Sequence, residues 1–109
     1  MIFIKYNSKL LKFFPKWVDS FVFRQTIHVR GDKISETLLA HEYIHTRQYR
    51  KYGFVCFLVI YMFEYFLNLI KYRDSFKAYR SISFEKEAYS LQDTEKIHTE
   101  ISGIEFKEK

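Results

Sequence analysis

His41, Glu42 and His45 stand in the order HExxH, as His41-Glu42-Tyr43-Ile44-His45. On a helix, residues i and i+4 lie about 40° apart around the axis and one turn along it, so the two imidazoles face one point. Such a pair suits zinc, whose catalytic sites take three protein ligands and leave a fourth position for water. Glu42 is one step round from His41, placed to take a proton from a zinc-activated water as general base. The third ligand must come from elsewhere in the chain. The bland alternative is two satisfied histidines on a helix surface. The helical setting, the apolar Leu38, Leu39 and Ile44 around the motif, and the carboxylates downstream weigh against it.

The motif falls inside a segment that reads as a helix over 36–52. Ser35 suits its N-cap and Gly53 its C-cap, while Arg47, Arg50 and Lys51 gather near its end, where cations complement the helix dipole. A second long helix is expected over 54–72 and a third over 84–91, with Ser83 as N-cap. Residues 2–6 and 21–29 are rich in β-branched and aromatic side chains, and each reads as one strand. Between them, 10–18 forms a short helix or an irregular connection interrupted by Pro15, and Gly31-Asp32 marks a turn. The expected fold is therefore α+β and mostly helical. It has a small N-terminal antiparallel β element, the HExxH helix and a helix bearing the third ligand. Residues 94–109, polar and weakly patterned, read as a docked or flexible C-terminal tail of a single domain spanning 1–109.

Composition sets the bounds. With 109 residues, 48% hydrophobic and 28% charged, the chain has material for one small core and is no disordered tail. The single cysteine, Cys56, excludes an intramolecular disulfide and a multi-thiolate zinc site, and its apolar surroundings predict burial. The N-terminal residues do not read as a signal peptide, so a cytoplasmic location is expected. The net charge of +5 is modest and spread along the chain, and no nucleic-acid partner is expected. The apolar run 54–70 carries Glu64 and Asn68, and Tyr61, Glu64, Tyr65 and Asn68 share one helical stripe. This predicts the central core helix of a soluble domain, with attachment to a membrane surface as the competing reading.

The stretches LLAHEYIHTRQ and AYRSISFEKEAY, joined by an apolar helix, resemble a family of very small bacterial gluzincin-type metallopeptidase domains over residues 27–92. Glu64 follows His45 by 19 positions, a separation that resembles the ligand spacing of zinc aminopeptidases. Glu85-Lys86-Glu87-Ala88 resembles the E-x-x-A signature with which many gluzincins supply the ligand above a small Ala. The resemblance implies one zinc ion held by His41, His45 and Glu85, with Glu42 as general base and the strand at 21–29 as the edge of a peptide cleft. Glu64 and Glu87 are the alternatives to Glu85. Where gluzincins often carry an Asp that orients a histidine, this chain has Tyr89. Tyr89, Tyr79, Arg80 and His28 are candidates to stabilise an oxyanion.

The function expected from this pattern is a zinc metallopeptidase acting on peptide or protein substrates. Two alternatives belong to other classes: a zinc-stabilised protein-binding module with weak or no catalysis, and a membrane-surface-associated metalloprotein. The tail is long enough to lie across the cleft with Ile101, Ile104 and Phe106 in substrate subsites, so truncation after Gln92 would activate a latent enzyme. His98 reads as a surface residue rather than a fourth ligand.

Overall fold

Ser35 accepts a hydrogen bond from the Leu38 amide at 3.1 Å and starts the helix that carries the HExxH motif. In the computed structural model, which describes residues 2–109, that helix is α1, Glu36–Tyr52. Gly53 ends it at φ +82°, a conformation that side chains other than glycine rarely tolerate. It turns the chain directly into α2, Phe54–Tyr72. Three shorter helices follow, α3 at Ser75–Arg80, α4 at Ser83–Leu91 and α5 at Glu95–Ser102. The strands are β1 (Ile2–Lys5), β2 (Ser20–Phe23), β3 (Thr26–Val29) and β4 (Phe106–Glu108), with a 3-10 turn at Lys9–Phe13.

The sheet has the order β2-β3-β1-β4. The antiparallel element is the β2–β3 hairpin, and the sheet is mixed because β1 joins β3 in parallel and β4 joins β1 in parallel. The single strand expected over 21–29 is thus two strands, with Phe23 opposite Thr26 and a two-residue loop at Arg24-Gln25. The two-residue loop puts Val22 opposite Ile27 and Ser20 opposite Val29 on the core face, so the inward positions switch from even to odd numbers across it, and Arg24 takes φ +58° without the Gly, Asn or Asp that usually marks such a turn.

One core lies between the sheet and α1. Ile2, Ile4, Val22, Ile27 and Val29 pack there on Ala40, Tyr43 and Ile44, and Ile97 and Ile101 of α5 close it. The tail is therefore an integral part of the fold, and Ile101 is buried in the core instead of lying free for a subsite. Ile104 and Phe106 pack against the same core, and β4 forms the sheet edge opposite β2. A second cluster, Phe57, Ile82 and Phe84, joins α2 to α4. The central helix is α1. Of the residues of α2 only Phe57 is buried, and Cys56 is exposed, so the expectation of a buried core helix and a buried thiol is overturned. Apolar composition there reflects an exposed face.

Candidate metal centre

The middle of α1 buries polar side chains. His41, Glu42, His45 and Gln48 are all nearly inaccessible, as is Glu85 on α4. His41 Nε2 and His45 Nε2 lie 2.9 and 3.0 Å from the same oxygen, Glu85 Oε1. The two imidazole nitrogens are 3.2 Å from each other. His41, His45 and Glu85 thus form a buried trio that can hold a metal ion.

Hydrogen bonding around the trio decides which atoms are lone pairs. Gln48 Nε2 donates to the Phe84 carbonyl at 3.1 Å and to Glu87 Oε1 at 3.0 Å. Its amide nitrogen being committed, the amide oxygen is the atom facing His45 Nδ1 at 2.8 Å, so Nδ1 donates there. Neutral His45 then presents a bare Nε2 to the centre. His41 Nδ1 stands in the same relation to Gln92 Oε1 at 2.9 Å. With both rings neutral, two imidazole lone pairs and a carboxylate oxygen converge with no hydrogen among them, a repulsion that a metal ion or a shared proton relieves. A tetrahedral ion with bonds of about 2.0–2.1 Å sets its ligand atoms about 3.3 Å apart, within a few tenths of an ångström of the spacing here. The donor set fits the metal.

Between these groups a proton can substitute for a metal. Burial alone would lower the pKa of His45, but the Glu85 carboxylate overrides it and pushes it up to about 9. Burial alone would raise the Glu85 carboxyl, and the two imidazoles hold it far below the usual carboxylate range instead.

Glu85 is aimed by its own helix and by α2. Tyr61 donates to its second oxygen, Oε2, at 2.7 Å. Glu64 accepts from the Ser83 amide at 3.0 Å and from Ser83 Oγ at 2.7 Å, capping the start of α4. Glu64 is therefore a helix cap and not part of the trio, despite its spacing from His45. Glu87 also stays outside, receiving the Gln48 amide. Ala88 is fully buried one turn beyond Glu85.

Glu42 lies beside the trio with Oε1 accepting from Ser20 Oγ of β2 at 3.1 Å. Its burial raises its pKa, an effect that the neighbouring imidazoles offset only in part. Glu42 borders two cavities. One of about 430 Å³ runs between β2 and α2, with Glu42, His45 and Glu85 in its lining. The other, about 280 Å³, opens on the His41 side toward Tyr89 and Gln92. Tyr79 and Trp17 line both.

The oxyanion candidates separate by position. Tyr79 lines both cavities, with its hydroxyl 3.2 Å from that of Tyr89. Tyr89 packs its ring on His41 at 4.4 Å between centroids. Arg80 lies over the Tyr89 ring at 3.7 Å and lines neither cavity. His28 is remote, with Nδ1 2.9 Å from Ser8 Oγ and its ring stacked on Phe21 at 4.7 Å. Burial, aided by Lys5 and Lys109, lowers its pKa. His98 bridges α5 to the Gln92 carbonyl at 2.8 Å and to Glu36 Oε1 at 3.1 Å, away from the trio.

Sequence reasoning missed Gln48, Gln92, Tyr61 and Ser20. Gln48 follows His45 by one helical turn, so its place was readable from α1 alone. The others meet the site only through tertiary packing. Searches of family models, curated proteins and solved structures found no match to this chain.

Proposed function

We propose that this chain is a zinc-dependent metallopeptidase of gluzincin type, with His41, His45 and Glu85 as ligands and Glu42 as general base. The observation that carries the reading is the convergence of two imidazole nitrogens and a carboxylate oxygen beside a second buried carboxylate, Glu42. A nitrogen-rich, three-ligand set of this kind suits zinc among the divalent metals. What zinc supplies in such a site is Lewis acidity, toward a water molecule and toward a carbonyl oxygen.

The chain's own groups do the remaining work. Gln48 and Gln92 keep the Nδ1 protons in place, so both Nε2 atoms stay available. Glu42, whose burial raises its pKa, takes a proton from the attacking water and returns it to the leaving amine. Ser20 fixes the orientation of Glu42 Oε1. Burial raises the pKa of Tyr79, so its hydroxyl remains a proton donor at neutral pH and serves a developing oxyanion. An extended peptide adds to the outer edge of β2, the terminal strand of the sheet on the cleft side. This keeps the expected cleft edge but confines it to residues 20–23.

The test is metal content and peptide hydrolysis measured on Glu42→Gln and Glu85→Gln proteins. Glu42→Gln is expected to keep one zinc and lose at least about 100-fold in turnover, whereas Glu85→Gln loses the metal. A zinc-loaded wild-type chain that cleaves no peptide, with Glu42→Gln indistinguishable from it, would favour the zinc-stabilised binding module.

A further inference from the structure

The two long sides of α2 differ in what they touch. One side is committed to the fold: Tyr61 holds Glu85, Glu64 caps α4, and Asn68 donates to the Ala78 carbonyl at 3.2 Å. The other carries Val59, Phe63, Phe66 and Ile70 at helical spacing, with Phe63 64% and Ile70 75% exposed. By length and composition alone the helix could cross a membrane. Its polar contacts to α3 and α4 place it along the domain instead, as a helix with one wet and one apolar face.

The apolar face runs on to the mouth of the larger cavity. Met62 is exposed and also walls that cavity, while the exposed Phe14 and Phe23 wall it from the opposite side. Phe13, next to Phe14, is 86% exposed. Exposed apolar side chains gathered on one helix face and around a cavity mouth mark an interaction site.

Charge identifies what covers it. Residues 1–24 and 50–80, among which lie the residues of the cleft mouth, α2 and α3, carry eleven Lys or Arg against Asp19, Glu64 and Asp74. The remaining residues carry seven against ten. Cations stand at both ends of α2: Arg24 lies over the Phe54 ring at 4.8 Å, and Lys71 and Lys77 lie over the Tyr72 ring at 5.1 and 4.8 Å. Two of the three acids are already engaged in capping helices, Glu64 on α4 and Asp74 on α3. An apolar strip bordered by cations complements an anionic bilayer surface, where acyl chains receive the strip and headgroups receive the cations. A second copy docked through the same strip would bring two cationic borders together. Nucleic acid would leave the apolar centre uncovered.

We infer that the outward face of α2 docks this domain on an anionic membrane surface, helix axis in the membrane plane, with the cleft mouth at the lipid boundary. The inference does not depend on hydrolysis.

The experiment is vesicle flotation of the full chain, with phosphatidylcholine vesicles against mixed phosphatidylcholine–phosphatidylglycerol vesicles, for wild type and F63E/I70E. Trp17, the only tryptophan, lies in the lining of both cavities and reports on the mouth by its fluorescence. Expected are at least about tenfold stronger binding to the anionic vesicles, a blue shift of Trp17 emission on binding, and at least tenfold weaker binding by F63E/I70E with unchanged circular dichroism. Wild-type protein that stays unbound with anionic vesicles overturns the inference, whatever the variant does. So does equal binding to both vesicle types, or a wild-type dimer in sedimentation that floats with neither. Binding with unshifted Trp17 overturns the placement of the cleft mouth.

Discussion

Gln48 shows how much of the centre depends on a residue outside the His41, His45 and Glu85 trio. Its amide nitrogen is tied to Phe84 and Glu87, and this leaves its oxygen for His45 Nδ1. Gln48→Leu keeps the volume and removes the acceptor, so His45 loses the partner that fixes its tautomer. Zinc affinity, measured by competition with a chromophoric chelator, is expected to fall about 10–100-fold. The same cluster sets a pH dependence in the metal-free protein. His45 binds its proton more tightly when folded, at about 9 against an ordinary 6.5, so this stabilisation is complete below about pH 6.5 and is lost as pH rises through about 9. Glu85 works in the opposite sense, its pKa lying below the ordinary 4.5, so its contribution is present above that value and lost on acidification. Chelated protein is therefore expected to melt highest between about pH 5 and 7 and progressively lower toward pH 10. A melting temperature that stays level from pH 7 to 10 would show that the trio holds no proton. Three of the four proposed site residues were legible because HExxH is local in sequence, whereas Glu85 required the E-x-x-A resemblance. Tyr61 and Ser20 were illegible because nothing in their own segments predicts a carboxylate partner.

At the scale of elements, α4 matters because it carries Glu85, and its first turn is held by a side chain from another helix. Ile82 stands at the N-cap position with no side-chain bond of its own, and Glu64 of α2 supplies the missing acceptor for the Ser83 amide. Glu64→Ala is expected to cost about 1 kcal/mol of stability, the usual loss on removing a cap, while zinc remains stoichiometric. Chemical denaturation with metal analysis on the same sample checks both parts, and loss of zinc without loss of stability would return Glu64 to the ligand set. The helices at 36–52 and 54–72 were readable to within a residue, because capping and glycine chemistry are written locally in Ser35 and Gly53. What failed was the inference from apolar composition to burial in α2, since composition does not say which face meets protein. The β2–β3 hairpin escaped for a different reason. Its loop residues, Arg24 and Gln25, carry no turn signature although the inward positions change parity across them, from Ser20 and Val22 to Ile27 and Val29, so tertiary pairing alone decides that the chain reverses there.

For the whole molecule, the C-terminal segment decides whether there is a domain at all. A free tail over residues 94–109 would make truncation after Gln92 harmless or activating. The structure places Ile97 and Ile101 inside the core, with β4 paired to β1 along the sheet edge away from β2. The signal was present in Thr94, Ile97, Ile101 and Ile104, a cap followed by one helical stripe, but the stripe is short and the surrounding residues are charged. Removing two buried isoleucines forfeits about 3–6 kcal/mol of apolar burial, before counting β4, the exposed underside of the sheet and the His98 contact that steadies the Gln92 backbone. Domains of this size hold only about 5–15 kcal/mol in total. Truncation after Gln92 is therefore expected to leave a largely unfolded chain that loses both its cooperative melting transition and its metal, since Gln92 itself positions His41. Circular dichroism melting and zinc analysis of the truncated protein provide the check. A truncated chain that melts cooperatively, keeps zinc and hydrolyses peptide faster than the full chain would restore the tail to the cleft.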